Sequence, residues 1–121
     1  MTKNANSMTA GAIFKAKRRT PERVDLPIGG HVFMQTMNGG RRSEFEARLI
    51  ADDIDPKTDP GRFRAELVAH TAVDDDGGLI FSTNQLEQIL SLDADVLELM
   101  VDVACRLNAF SEKDREGLEK N

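Results

Sequence analysis

Apolar residues along this chain first alternate with polar ones, then recur at helical spacing. Val24 and Leu26 alternate with Arg23 and Asp25, and a second β-type run follows in His31-Val32-Phe33-Met34-Gln35-Thr36-Met37. Ile28-Gly29-Gly30 lies between them, and two glycines permit a positive-φ turn, so the pair predicts a β-hairpin. Pro27 has no N–H to donate and suits an edge or a turn. Asn38 is placed to cap a helix over 40–51, with Phe45, Leu49 and the stem of Arg48 on one side. A loop of Asp and Pro residues runs to Gly61, and a helical period resumes over 61–72 through Phe63, Leu67, His70 and Thr71. Asp74-Asp75-Asp76-Gly77-Gly78 reads as a turn into the apolar triplet Leu79-Ile80-Phe81. Ser82 or Thr83 then caps a helix over 84–91 whose inner face is Leu86, Ile89 and Leu90.

The longest apolar helix is expected over 93–109. Val96, Met100, Val103, Leu107 and Phe110 form one stripe, and Leu97, Val101 and Ala104 widen it past half the circumference. Such a helix is central to a core, or shared between the core and an interface. Ser111 with Asp114 resembles a capping box and predicts a short terminal helix. Residues 1–12 are small, polar and without period, which predicts disorder. Together these elements predict an α+β fold. A small N-terminal β-hairpin packs on a four- to five-helix body as one domain over 21–121, behind a disordered basic arm over 1–20.

Charge changes this picture more than size does. The chain has 121 residues and a formal net charge of −5, enough for one domain with its own core. Residues 1–42 carry eight bases and two acids, whereas residues 43–121 carry eight bases and nineteen acids. A basic arm on an acidic body admits nucleic-acid contact, self-association or a solvated tail. The run Lys15, Lys17, Arg18 and Arg19 is the possible contact arm. Only Phe14 is at hand there to stack on a base, and the acidic body would repel phosphates, so nucleic acid is disfavoured. The single Cys105 excludes an internal disulfide framework and fits a reducing compartment. No apolar run is long enough to cross a bilayer, and no signal-peptide pattern opens the chain, so a soluble, intracellular type is expected, with no membrane partner.

Candidate chemistry is sparse. His31 and His70 have no Cys or acid at ligand spacing, and zinc needs three or four ligands. His70, in register with Phe63 and Leu67, reads as a partly buried core histidine. An EF-hand register over Asp74–Gly78 puts Ala72 or Val73 at position 1 and fails. Cys105 lies in an apolar helix with no histidine near in sequence, which describes an inert thiol. No nucleophile elbow, dinucleotide loop or phosphate loop appears. The expectation is a non-enzyme with no catalytic residues, no metal and no cofactor.

Residues 22–121 carry a further pattern. Arg64-Ala65-Glu66-Leu67-Val68-Ala69, Thr71-Ala72-Val73-Asp74-Asp75-Asp76-Gly77, Leu79-Ile80-Phe81-Ser82, Arg106-Leu107-Asn108-Ala109-Phe110-Ser111 and Leu118-Glu119-Lys120-Asn121 resemble segments of the tail assembly chaperone family of phages and prophages with long non-contractile tails (siphophages). Upstream, Val32-Phe33, Met37-Asn38-Gly39 and Phe45-Glu46 are similar to that family's strand and following helix start. Asn38 stands where the family has Ser or Thr, and Gly40-Arg41-Arg42 replaces its usual acidic-basic run.

The resemblance implies a non-enzymatic chaperone of virion assembly. It would bind the phage tape measure protein and keep it soluble while tail-tube protein assembles around it, in the host cell cytoplasm and not in the mature virion. Family members commonly extend by a programmed frameshift, and Glu119-Lys120-Asn121 is compatible with an A-rich slippery run. The expected partner-binding surface is the wide face of the long helix, Leu97, Met100, Val101 and Ala104, with Phe81 at its edge; plain core packing is the competing reading for these residues. Homo-oligomerisation stays open. Two other classes compete: a structural tail or head–tail connector or terminator protein, and a small DNA-binding regulator using the basic N-terminal arm. Asp93, Asp95, Glu98 and Asp102 would make the recognition helix of that regulator acidic, which argues against it.

Overall fold

The structure, a computed structural model, describes residues 7–110. It is an α+β fold, with a three-stranded antiparallel sheet against a helical body. The hairpin forms as the alternation predicts: β1 (Glu22–Asp25) pairs with β2 (His31–Met34), Val24 opposite Val32 and Asp25 opposite His31. Gly29 and Gly30 both take positive φ in the turn, a conformation that costs glycine little. Within the expected disordered arm, α1 (Ala10–Lys15) forms a single short helix capped by Thr9, with no residue buried. The Thr9 side chain supplies the first-turn acceptor that such a segment needs to leave the coil.

α2 (Gly39–Ala51) begins at the expected Asn38 cap, whose side chain accepts from the Arg41 N–H at 2.8 Å. α3 (Pro60–Thr71) starts one residue earlier than the period suggested, because Asp59 caps it and Pro60 occupies its first position, where a missing N–H costs nothing. The polypeptide then leaves the helix at once into β3 (Ala72–Val73), a strand absent from the expected elements. β3 completes the sheet in the order β1-β2-β3, with Phe33 opposite Val73 and Met34 opposite Ala72. The helix is expected to run through Ala72; backbone pairing to β2 ends it at Thr71 and takes Ala72 and Val73 into the sheet.

Ser82, not Thr83, provides the next cap. It makes a reciprocal capping box with Gln85 around a 3₁₀ turn (Thr83–Gln85) that leads into α4 (Leu86–Leu90), so the helix expected over 84–91 is shorter and split. Leu90, expected on the inner face, is 38% exposed. α5 (Ala94–Leu107) ends at Asn108. The terminal helix expected from Ser111 lies outside the described residues.

The core sits where α3 meets α2, α4, α5 and the sheet. Every residue from Ala65 to Val73 is buried. Phe45 from α2 is 1% exposed and meets Phe63, His70 and Phe110 edge-on at 5.6, 5.6 and 6.3 Å between ring centroids, the geometry that aromatic quadrupoles favour. Asn108 ties the end of α5 to the strand–helix junction: its Oδ1 accepts from the Met37 N–H at 2.7 Å, and its Nδ2 donates to the Ala104 carbonyl at 2.8 Å.

Phe45→Ala is expected to destabilise the fold by about 3–5 kcal/mol, read as a lower urea midpoint at unchanged slope. A loss under about 1 kcal/mol would show that the aromatic cluster is not the centre of the core.

Candidate functional site

The four expected contact residues of the long helix face inward. Leu97 and Val101 are buried, and Met100 and Ala104 are wholly so. α5 packs on α3 and the strands, and the width of its apolar face is used up by those two neighbours. The expected interface there is therefore corrected: the wide stripe is core. The outward positions of α5 include Asp95, Glu98 and Asp102.

Phe81 lies elsewhere. It is half-buried and lines a cavity of about 500 Å³ between α2, α3 and the segment that follows β3. Arg41, Ala47 and Arg48 come from α2, His70 from α3, and Leu79 and Phe81 from the following segment. Leu79 and Ile80 beside it are 38% and 39% exposed. These apolar side chains stand at the surface because their backbone is pinned at both ends. Upstream, the Asp74 carboxylate accepts from the Asp76 and Gly78 N–H groups, Gly77 adopts φ of +85°, and Leu79 bridges back to Val73. The Ile80 N–H also donates to the Ala72 carbonyl at 3.1 Å. Downstream, the Ser82 capping box takes over. So the acidic segment is the expected turn, and the Asp74 carboxylate shapes its backbone. Among the described residues, no group of three or more His, Cys, Asp or Glu is arranged to hold a metal ion.

Beneath this cavity lies a charge pair that sequence reasoning missed. Glu66 is fully buried on α3, and both of its oxygens accept from Arg48 Nε, at 2.8 and 3.0 Å. One turn on, His70 Nε2 lies 3.3 Å from Glu66 Oε2, and neither ring nitrogen has an aligned hydrogen-bond partner among the described residues. Burial pushes the His70 pKa below its ordinary 6.5; Glu66 pulls upward, and Arg41 and Arg48 add to the depression. His70 is thus more deeply buried than expected, and its burial favours the neutral ring. The i, i+4 spacing of Glu66 and His70 is present in the sequence, so the expectation that no acid stands at ligand spacing from His70 is corrected. What the spacing could not show is that this face of α3 points inward, toward Arg48 of another helix.

Residues 7–20 are all exposed, including Lys15, Lys17, Arg18 and Arg19, and Arg18 Nη2 donates to the Thr36 carbonyl at 2.6 Å. His31 Nε2 pairs with Asp75 at 2.9 Å, a contact created by the β2–β3 pairing. Cys105 is buried, and none of the described helices is long and apolar enough to cross a membrane. No protein-family model matches the chain, and no curated protein or solved structure is significantly similar to it.

Two outcomes follow from the buried polar group. Because the His70 pKa is lowered in the folded state, the unfolded chain takes up the extra proton as pH falls below about 6.5, and stability falls with it. Urea midpoints should therefore drop between pH 7.5 and 5, and His70→Gln should flatten that part of the profile; an unchanged slope would overturn the assignment. Arg48→Met should cost about 3 kcal/mol by stranding a buried carboxylate, and adding Glu66→Gln should recover part of it. Equal stability of Arg48→Met and wild type would contradict the pairing.

Proposed function

We propose that this protein is a non-enzymatic binding module, a tail assembly chaperone that holds a phage tape measure protein soluble while the tail tube is built. The sequence resemblance supplies the class. The observation that supports it in the fold is the Leu79-Ile80-Phe81 segment, held at the surface by fixed turns on both sides and next to an open, largely apolar cavity. A tape measure is a long helical chain whose apolar stripes associate when exposed. A rigid apolar ledge beside a groove covers such a stripe with little ordering cost, since its own backbone is already pinned. The contact surface is thus moved from α5 to Leu79, Ile80 and Phe81. The acidic body, with Asp95, Glu98 and Asp102 outward on α5, keeps a crowded complex dispersed by mutual repulsion and suits neither groove of a nucleic acid. On this reading the protein acts in the host cytoplasm during assembly and leaves before the particle is complete.

Leu79→Asp with Ile80→Asp tests the reading, since both side chains are already partly solvated. Co-expressed with the tape measure protein of the same genome, wild type should keep that protein in the soluble fraction. The double variant should fold normally and weaken the complex by roughly a hundredfold, from the apolar area lost. A tape measure equally soluble with the variant, or this chain found in stoichiometric amounts by mass spectrometry of purified particles, overturns the proposal; the second result would point to a structural tail protein.

A further inference from the structure

The basic arm and the acidic body offer a contact that one copy of the chain does not make. Residues 7–20 contain four bases and no acid. Phe14 at the end of α1 is 85% exposed and Ile13 55%, a large apolar display in a segment with no buried residue. The arm is nevertheless not adrift at its root, where Arg18 is tied to the Thr36 carbonyl. Beside that root lies a second cavity, of about 300 Å³, walled by Pro21 and Phe33 and edged by Asp74, Asp75 and Asp76. Asp74 spends its carboxylate on the turn and Asp75 pairs with His31. No hydrogen bond or ion pair engages the Asp76 carboxylate among the described residues. The chain's own Phe14 stands outside this cavity.

We propose that two copies of this chain exchange arms, the Phe14 of each entering the Phe33-walled cavity of the other with Lys15 and Lys17 against Asp75 and Asp76. Charge selects this occupant. Arm against arm and body against body repel, so arm against body is the attractive register, and a reciprocal exchange satisfies it twice about a twofold axis. Anionic lipid and nucleic acid share the arm's preference for negative charge, but both would meet the net-acidic body, with nineteen acids to eight bases over residues 43–121. Five residues lie between Phe14 and Thr20, so this part of the arm reaches at most about 20 Å when extended. This inference stands apart from the chaperone reading and uses none of the residues of the Leu79–Phe81 ledge.

Sedimentation velocity of the full chain tests it. Wild type should dimerise, with a dissociation constant at least tenfold weaker in about 0.5 M than in about 0.05 M NaCl, and Phe14→Ser should weaken it at least tenfold at low salt. Lys15→Glu with Lys17→Glu, and Asp75→Lys with Asp76→Lys, should each be monomeric alone. Mixed together they should form a heterodimer, because both exchanged contacts are then complementary again. Circular dichroism should show each variant folded. A wild type that stays monomeric at both salts overturns the proposal, as does a dimer indifferent to Phe14→Ser. So does a monomer that binds phosphatidylglycerol vesicles or duplex DNA through the arm.

Discussion

Glu66 is a carboxylate with no access to water, and the arrangement of the helices follows from what it needs. A buried charge costs several kcal/mol unless it is matched by an opposite charge with well-formed hydrogen bonds. Here the match comes from Arg48 on a different helix, so α2 can dock on α3 only at the rotation and height that bring the guanidinium over Glu66. That rotation turns Phe45 inward, onto Phe63 and His70. Dispersion and hydrophobic burial supply most of the stabilisation, and they tolerate many near-equivalent packings. The ion pair tolerates few.

The same constraint shapes the surface. With α2 fixed by Arg48, a gap remains between it and the segment leaving β3, and that gap is the larger cavity. The ledge of Leu79, Ile80 and Phe81 stays outside the core because the strand pairing and the capping box hold its ends. An apolar group left exposed by a rigid backbone differs from one exposed by chance on a loose loop, since no local rearrangement can hide it. That is the physical case for treating it as a contact surface. The long apolar helix is the opposite case: its broad stripe is buried against α3 and the sheet, and no partner is required to explain it.

Local chemistry was readable along the chain wherever one segment decided the outcome. Asn38 capping α2, the Gly29-Gly30 turn and the hairpin alternation of Val24 and Val32 needed no distant partner, and each formed. The failures share a cause. Ala72 falls inside the helix expected over 61–72 and Val73 just beyond it, and only the edge of β2 makes the two a strand. The ambiguity at Leu97, Met100, Val101 and Ala104 was real in one dimension, where core and interface stripes have identical periodicity. The Thr9 cap that starts α1 is the exception: it is local, and the small polar residues around it predict disorder.

By itself, then, the sequence determined the hairpin, the Asn38-capped α2, the approximate spans of α3 and α5, and the opposed charges of arm and body. All of these depend on neighbours within a turn or two, or on composition. Only the tertiary structure decided which apolar face is interior, that Glu66 and His70 lie beneath an open cavity, and that Leu79 and Ile80 remain outside. Those outcomes depend on how much surface each element finds to bury against others far away in the chain. Periodicity says which residues share a face, and only packing says what that face meets.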